Sequence, residues 1–230
     1  MRPLKLLSVR SIPQWLARRK ILRHRELAKL VMLNTPSTGA NFYDYWLLYS
    51  YIRRARPREV LELGPGITTL VIAQALSENG SGRVTAMEDV EHYHNALREI
   101  IPDRLRCYID LHLSPSHQIH WGPFRGKAYK KIPDRNYDLV WIDGPNYDRQ
   151  SEFDADIFEI VSKSDKPITA FVDSRMGSCF IYSLVFGRKF KFDYIRRIGV
   201  LKACRTDMKS YSEIFSSIKV RGIIYGLLRV

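Results

Sequence analysis

Cysteine is scarce in this chain of 230 residues, and its pattern excludes two kinds of cross-linked protein. The three cysteines, Cys107, Cys179 and Cys204, are odd in number and far apart. Such spacing matches neither a disulfide framework nor the paired ligands of a zinc cluster. We therefore expect incidental or buried thiols in a reducing, intracellular compartment.

Long apolar runs, internal repeats and low-complexity segments are also absent from the sequence. No apolar stretch approaches the roughly 18 residues that a membrane-spanning helix requires, so no such helix is expected. Glycine and proline occur at ordinary frequency, which excludes collagen-like and disordered chains. Apolar residues make up 45% of the chain, which is enough to bury a core. The length indicates one α/β domain, with or without attachments.

Acidic residues are nearly missing from the first 40 positions. That segment holds nine lysines and arginines against one acid, Glu26, so it carries +8 of the net charge of +13. We interpret residues 1–36 as a basic N-terminal arm, in which residues 12–33 have amphipathic, helical spacing. Such an arm can bind an anionic surface, either acidic lipid or nucleic acid. A solvated face that only keeps the protein soluble explains the charge equally well.

Strands and helices alternate through most of residues 37–230, which we interpret as the main domain. Strands are predicted at residues 59–64, 82–88, 105–113, 137–143 and 168–173, and helices at residues 41–55, 68–78, 90–100, 150–163 and 177–187. This alternation predicts a doubly wound, mostly parallel sheet. Two final strands, 188–199 and 221–230, have no helix between them and predict an antiparallel pair at the edge. Residues 120–135 are predicted to be a long inserted loop.

The sequence "VLELGPGITTL", residues 60–70, ends a buried strand with two glycines before a helix. Ligands of doubly wound sheets bind at this edge, and glycine allows both a sharp turn and close approach to the backbone. Two phosphate-binding motifs fail here: Ile67-Thr68-Thr69 lacks the P-loop lysine, and Thr69 replaces the third glycine of a dinucleotide site. S-adenosylmethionine, which carries no phosphate and needs no third glycine, remains as a ligand class.

An acid at the end of the second predicted strand supports a nucleoside ligand. Glu88 lies 24 residues after Gly64, and a carboxylate at this strand end can accept hydrogen bonds from both ribose hydroxyls. The adjacent Asp89 is predicted to cap the next helix, and it is a second candidate contact to the cofactor.

With these motifs the chain resembles the class I S-adenosylmethionine-dependent methyltransferases, and within them small bacterial-type enzymes similar to O-methyltransferases. The segments that carry the resemblance are "ELGPG" (62–66), "VTAMED" (84–89), "YDLVWIDGPN" (137–146) and "ITAFVDS" (168–174). The resemblance covers roughly residues 35–230. It implies a seven-stranded, Rossmann-like sheet with a C-terminal antiparallel strand pair.

The resemblance also implies a role for particular residues in binding S-adenosylmethionine. The methionine portion of the cofactor would lie along Glu62, Gly64, Pro65 and Gly66. Glu88 would hold the ribose, and Ser114 to Ser116 would lie near the adenine, where related enzymes usually carry acids. A short pattern, Ser37, Thr38 and Gly39, would close over the cofactor from the N-terminal side.

Asp143, at the end of the fourth parallel strand, is the candidate catalytic base and a further cofactor contact. It would remove the proton of an oxygen acceptor, or it would only orient the Gly144-Pro145 turn. Asp143 and Asp173 together would allow a divalent cation, as in catechol-type O-methyltransferases. The sequence does not favour the metal, because Ser174 and Pro145-Asn146 replace that group's other ligands.

The segment between the third and fourth parallel strands carries further candidates. His112, His117 and His120 lack zinc-site spacing, although one of them would serve as a base. The inserted loop carries aromatic and basic side chains that would contact an acidic or planar acceptor, or that would lie on a solvated surface: Trp121, Phe124, Arg125, Lys127 and Tyr129.

The sequence predicts an S-adenosylmethionine-dependent methyltransferase that acts on an oxygen of a small molecule or glycan precursor. One alternative is an RNA methyltransferase that uses the basic arm, although no Asn/Asp-Pro-Pro-aromatic motif follows the fourth strand. The other alternative is a non-catalytic scaffold that binds the cofactor. We expect a cytoplasmic protein with peripheral membrane attachment as an option, and the sequence leaves oligomerisation open.

Overall fold

A seven-stranded, mostly parallel sheet organises the computed structural model, which describes residues 11–36, 40–147 and 152–217. The described strands are β1 (Glu59–Leu63), β2 (Arg83–Glu88), β3 (Ile109–Leu113), β4 (Ser116–Trp121), β5 (Phe124–Tyr129), β6 (Leu139–Ile142), β7 (Phe153–Asp154), β8 (Ile168–Asp173), β9 (Phe190–Asp193) and β10 (Ile198–Ala203). The main sheet has the order β3-β2-β1-β6-β8-β10-β9, and β4, β5 and β7 form a second sheet.

Helices cover both faces of the main sheet. The described helices are α1 (Ser11–Leu22), α2 (Arg25–Val31), α3 (Phe42–Ala55), α4 (Ile67–Asn79), α5 (Glu91–Ile100), α6 (Asp103–Arg106), α7 (Asp156–Ser162), α8 (Met176–Phe186) and α9 (Tyr211–Ser217). Side chains alternate along the central strands, so that Val60 belongs to one apolar core and Leu61 to the other. Because both faces are buried, β6 is a continuous apolar run, and the buried residues of β1 are apolar except for Glu62.

The strand register brings four carboxyl ends to one edge of the sheet. Leu63 of β1 pairs in parallel with Met87 of β2 and with Ile142 of β6, and Ile142 pairs with Val172 of β8. At the other side, β10 runs antiparallel to both β8 and β9. The predicted fold class, a mostly parallel seven-stranded sheet with an antiparallel strand pair, is confirmed.

The antiparallel pair has other members than the sequence predicts. Residues 188–199, predicted as one strand, contain β9, a turn and the start of β10, while residues 221–230 lie outside the described residues. The Asp193 carboxylate accepts backbone hydrogen bonds from Ile195 and Arg196, at 3.0 and 2.9 Å. An aspartate that hydrogen-bonds the backbone ahead of it makes a turn without glycine or proline, which is why the sequence pattern conceals this one.

Three other predicted elements are corrected. The inserted loop at 120–135 contains β5, whose register with β4 runs from Ser116↔Tyr129 to Trp121↔Phe124. The strand predicted at 105–113 begins as the end of α6 and becomes β3 only at Ile109. The helix predicted at 150–163 starts at Asp156, because Phe153 and Asp154 form β7 and pair with β5.

The amphipathic segment predicted as one helix at 12–33 forms two, α1 and α2. The chain is extended at His24, whose ring nitrogen Nε2 lies 2.6 Å from the Tyr49 hydroxyl. Ile21 of α1 and Leu27 and Leu30 of α2 are buried in the apolar core shared with α3 and α4. None of the helices in the described ranges is long and apolar enough to cross a membrane.

Candidate functional site

A cavity of about 190 Å³ opens at the carboxyl edge of the main sheet, where β1, β2 and β6 end. This is the edge at which doubly wound sheets bind ligands. Five residues predicted for the site line the cavity: Gly64, Pro65, Glu88, Asp89 and Asp143. Other lining residues include Tyr93, Tyr129, Asn146 and Arg175.

Two glycines form the floor of the cavity by backbone contact. A Cβ on Gly64 would lie 2.5 Å from the Asp143 carbonyl oxygen, and a Cβ on Gly144 would lie 2.5 Å from Gly64 Cα. Gly64 also has a φ of +84°, a conformation that side-chain-bearing residues rarely adopt. The glycine at the end of β1 is therefore required by the turn and by the neighbouring strand end, before any ligand approaches.

Glu88 ends β2 beside this floor and is buried except for its exposure to the cavity. Its Oε1 accepts hydrogen bonds from the backbone N–H groups of Asp89 and Val90, both at 2.9 Å. These bonds fix the carboxylate and leave Oε2 for a ligand. Burial raises the pKa of Glu88 to about 7, although the two backbone N–H groups oppose this rise.

Asp89 and the two predicted serines lie next to Glu88. Asp89 does not cap α5 as predicted: Val90 occupies the cap position and no side chain caps the helix. The Asp89 carboxylate instead accepts a 2.6 Å hydrogen bond from the Ser116 hydroxyl. Ser114 is buried, and its hydroxyl accepts a hydrogen bond from the Lys131 backbone at 3.2 Å, so it does not line the cavity.

Glu62 lies beneath the glycine turn rather than in the cavity. It is fully buried, and neither carboxylate oxygen has a hydrogen-bond partner among the described residues. Burial raises its pKa to about 8, while the neighbouring Thr68 and Thr69 act in the opposite direction. Gly66 is the N-cap residue just before α4, where its N–H donates to the Thr69 hydroxyl at 3.1 Å, and it does not line the cavity either.

Asp143 follows β6 and faces Arg175 across the cavity. The Asp143 carboxylate lies 3.6 Å from Arg175 Nη1, and 19% of its side chain is exposed. Burial, and then the nearby Asp173 carboxylate, raises the pKa of Asp143 well above its usual range, although Arg175 lowers it. A carboxyl group shifted in this direction is better matched to accepting a proton near neutral pH than an ordinary aspartate.

Arg175 holds the loop that follows Asp143. Its Nε donates to the buried Asp154 carboxylate at 2.9 Å, and its Nη2 donates to the Pro145 carbonyl oxygen. The guanidinium carbon lies 3.9 Å from the centroid of the Tyr147 ring, and the Tyr147 hydroxyl donates to Asp154 at 2.6 Å. One buried arginine thus fixes both ends of the loop from residue 143 to residue 147.

Further acids lie behind Asp143, but they do not form a metal site. Asp44 is buried at the start of α3, and burial, with repulsion from Asp173, raises its pKa to about 7. No cluster of three or more His, Cys, Asp or Glu side chains within the described ranges is arranged to hold a metal ion. A divalent cation at Asp143 and Asp173 is therefore not supported.

The remaining sequence candidates lie apart from the cavity or outside the described residues. His112, His117 and His120 do not line it, and of the side chains singled out in the predicted loop only Tyr129 does. Ser37, Thr38 and Gly39 lie outside the described residues.

Sequence reasoning missed Arg175, Tyr93, Asp44 and Asp154. The position of Arg175, two residues after β8, was the one available signal, since side chains at that edge face a ligand. Asp44 and Asp154 contribute only through long-range packing, which no local pattern reveals.

A comparison with protein families agrees with this geometry. Residues 61–166 match the family described as "Methyltransferase domain", a segment that runs from β1 to just before β8. No curated protein matches the chain.

Solved structures similar to the chain include several methyltransferases. One from Geobacter sulfurreducens is 18% identical, with 84% of this chain and 89% of that chain covered and a TM-score of 0.48. The O-methyltransferase TomG from Streptomyces achromogenes, solved with S-adenosylmethionine, is 13% identical, with 82% of this chain and 89% of that chain covered and a TM-score of 0.49. An O-methyltransferase from Bacillus cereus, in complex with S-adenosylhomocysteine, is 15% identical, with 81% of this chain and 90% of that chain covered and a TM-score of 0.47.

The family match and the sheet agree on where the site lies. The match begins at the strand that leads into the glycine turn and includes Glu88 and Asp143. The strand order places both residues at one edge, on either side of that turn. On this match, residues 61–166 are similar to a methyltransferase domain, and they hold the glycine turn and both acids at one edge of the sheet.

Proposed function

We propose that the chain transfers a methyl group from S-adenosylmethionine to an oxygen of a small molecule or glycan precursor. The observation that carries the proposal is the pair of acids around the glycine floor. Because β1 lies between β2 and β6 in the sheet, Glu88 and Asp143 flank Gly64 and face one cavity. One acid is suited to binding the cofactor and the other to activating the acceptor.

The residues around the floor fit this cofactor. Glu88 Oε2 would accept from the ribose hydroxyls, since Oε1 is already occupied by two backbone donors. The backbone at Gly64 and Pro65 leaves room for the amino-acid portion, and Asp89 with Tyr93 would border the nucleoside. S-adenosylmethionine, when bound, supplies an activated methyl group on a positively charged sulfur. Acids outnumber cations in the cavity lining, which favours that charge.

Asp143 would act on the acceptor. An acceptor hydroxyl within hydrogen-bonding reach would donate its proton to the Asp143 carboxylate as its oxygen takes up the methyl group, and S-adenosylhomocysteine would be the leaving group. Arg175 would hold the carboxylate in position through the 3.6 Å contact. The three lining acids, Glu88, Asp89 and Asp143, stand against one arginine, which disfavours a polyphosphate acceptor such as RNA.

The cofactor assignment is tested by calorimetric titration with S-adenosylhomocysteine. We expect Glu88→Ala to bind roughly 10- to 100-fold more weakly, because a charge-assisted hydrogen bond to the ribose is lost. Glu91→Ala is the matched control, since this exposed glutamate lies three residues further on, in the first turn of α5. Equal affinity of Glu88→Ala and the native chain would contradict the assignment.

The catalytic assignment is tested with radiolabelled S-adenosylmethionine and fractionated small-molecule and glycan extracts. We expect Asp143→Asn, which keeps the shape of the side chain, to retain most of the affinity for S-adenosylhomocysteine and to lose about 10²- to 10⁴-fold in rate. The native rate should fall as pH drops through the raised pKa of Asp143, and Asp143→Asn should lack this acidic limb. Cofactor binding without transfer to any fraction would favour the scaffold alternative.

A further inference from the structure

An apolar stripe runs along the exposed side of α1. Ile12, Trp15, Leu16 and Leu22 are 48%, 54%, 45% and 44% exposed. Their spacing of three, four and six to seven residues places them on one side of the helix, around Arg19. Four large apolar side chains in one row on a helix surface are more than the scattered exposure that soluble proteins normally show.

The other side of α1 is already packed against the protein. Ala17 and Ile21 are buried against α3. Gln14 donates to the Asn41 side chain and accepts a 3.0 Å hydrogen bond from the Tyr43 backbone N–H. The exposed stripe is therefore presented outward by a helix that is fixed in place, not by a loose end.

Basic residues surround the stripe almost without acids. Arg18, Arg19, Lys20, Arg23 and Arg25 are exposed. Among the lysines and arginines of α1, α2 and the turn between them, only Lys29 forms an ion pair with an acid in the part of the chain that the structure describes. Arg19 lies over the Trp15 ring, 5.5 Å from its centroid, so charge and apolar surface are intermixed.

A second exposed element of similar composition also contacts the start of α3. The turn between β9 and β10 exposes Tyr194 and Ile195 by 76% and 50%, beside Arg196 and Arg197. The Arg196 guanidinium lies 5.9 Å from the centroid of the Tyr43 ring, and Tyr43 is also the residue that bonds Gln14 of α1. The turn and α1 thus both contact Tyr43 at the start of α3.

We infer that this surface, formed by the exposed side of α1 and the β9–β10 turn, docks the protein on an anionic lipid bilayer. Basic residues would contact the lipid headgroups while the apolar side chains enter the interface, as in amphipathic helices that lie in the membrane plane. The docked segment does not span the bilayer.

Two other occupants fit the surface less well. Nucleic acid would be attracted by the arginines, but exposed leucine and isoleucine side chains gain little from phosphates. A second copy of the chain would bring two clusters of arginines together, which like-charge repulsion disfavours. A bilayer with acidic headgroups satisfies both the charge and the apolar area.

The proposal is tested by sedimentation of the full chain with phosphatidylcholine vesicles, with and without phosphatidylglycerol. We expect binding to the mixed vesicles, little binding to pure phosphatidylcholine, and weakening by added salt. The native chain should also show a blue shift of tryptophan fluorescence on binding, and Trp15→Phe should lose most of it.

Two double variants separate charge from apolar insertion. Arg19→Glu with Arg23→Glu should weaken vesicle binding by about 30-fold or more, and Trp15→Ser with Leu16→Ser by about tenfold or more. The charge control is Lys166→Glu with Arg188→Glu, which makes the same change in net charge at exposed positions elsewhere and should bind normally. Tyr194→Ser with Ile195→Ser should also weaken binding.

Several outcomes would overturn the inference. The first is a failure of the full chain to bind the mixed vesicles, and the second is a control pair that loses as much vesicle binding as Arg19→Glu with Arg23→Glu. The third is a chain that self-associates, buries Trp15 in the contact between copies and does not bind vesicles. Binding of a single-stranded RNA without binding of vesicles would assign the surface to nucleic acid instead. Thermal melts of each variant identify misfolding, and Arg19→Gln with Arg23→Gln replaces any charge reversal that fails to fold. S-adenosylhomocysteine titration of the same variants distinguishes this result from failure of the proposed function.

Discussion

At the scale of single residues, three carboxyl groups near the cavity are held where negative charge is disfavoured. Burial raises the pKa of Asp44 and of Glu88 to about 7, and that of Glu62 to about 8. The Glu88 carboxylate accepts hydrogen bonds from two backbone N–H groups, which stabilise its charge. Both carboxylate oxygens of Glu62 lack hydrogen-bond partners within the described ranges. Of these three groups, Glu62 is therefore the one whose titration should most affect the stability of the apoprotein.

The predicted consequence is a stability that falls as Glu62 loses its proton. Its pKa of 4.5 in the unfolded chain rises to about 8 in the fold, so the folded state binds the extra proton between these values. The contribution of Glu62 to stability is then greatest below pH 4.5 and is lost as pH rises through 8. Glu62→Gln cannot ionise, and we expect its stability relative to the native chain to increase across this window by roughly 3 to 5 kcal/mol.

Urea unfolding of both proteins at a series of pH values, without cofactor, measures this difference. The useful quantity is the change of the difference with pH, since the buried glutamine amide has its own constant cost. A difference that stays flat across the window would show that Glu62 does not carry the raised pKa.

At the scale of elements, the loop after β6 depends on an arginine supplied by the turn after β8. Burial alone would lower the pKa of Arg175, but Asp154, Tyr147 and Asp143 together outweigh burial and raise this pKa. Asp154 is itself fully buried, with Ser178 as a further donor at 2.5 Å. The loop and the two elements are therefore held by one charged cluster.

Replacing Arg175 should leave the buried Asp154 carboxylate without its ion-pair partner. We expect Arg175→Met to lower the free energy of unfolding by roughly 3–5 kcal/mol, because the Asp154 carboxylate would remain buried without its cation. Arg175→Lys, which keeps the charge but not the planar fork, should recover part of the loss. Urea unfolding measures both, and a methionine variant as stable as the lysine variant would contradict the role given to the charge.

The elements that the sequence predicted well are those that combine an apolar run with a polar end. Both β2 and β6 are buried strands with an acid at the carboxyl end, so Glu88 and Asp143 follow from local pattern together with the general edge rule. The β4–β5 hairpin was missed, because its first strand is mostly exposed and carries His117, Gln118 and His120 in place of an alternating apolar pattern. β7 has only two residues, fewer than any periodicity can reveal.

Site residues were predictable only where they end or directly follow a recognisable strand, as Glu88 and Asp143 do. Arg175 gains its role from Asp154, which is 21 residues away, and Asp44 gains its environment from Asp173. Such contacts depend on how α3, β7 and β8 come together, which single-sequence patterns do not encode. The cofactor contacts of Glu62, Gly66 and Ser114 stay predictions, and none of these residues lines the cavity.

At the scale of the whole molecule, the basic N-terminal segment contributes to the core. Leu27 of α2 is fully buried and lies in the same apolar cluster as Leu48 and Ile52 of α3 and Val71 of α4. The segment thus has one face in the core and another in solvent. Its charge and its packing are separate properties that different substitutions can address.

Leu27→Ala should destabilise the entire fold, by about 2–5 kcal/mol, because it leaves a cavity in that cluster. Leu22→Ala is the matched control: this leucine is five residues earlier and 44% exposed, so its truncation should change stability little. Thermal or urea unfolding with a single cooperative transition would support the role of the segment in the core. Equal stability of the two variants would instead make it a separable attachment.

The contact between Gly64 and Gly144 has an evolutionary consequence. Each position has main-chain atoms within 2.7 Å of where the first side-chain atom would stand. A substitution at Gly64 or Gly144 therefore cannot change the floor of the cavity without moving the ends of β1 and β6 apart. Descendants of this chain that acquire new acceptors would have to change around the mouth, at positions such as Tyr93 and Asn146, while the bottom is inherited unaltered.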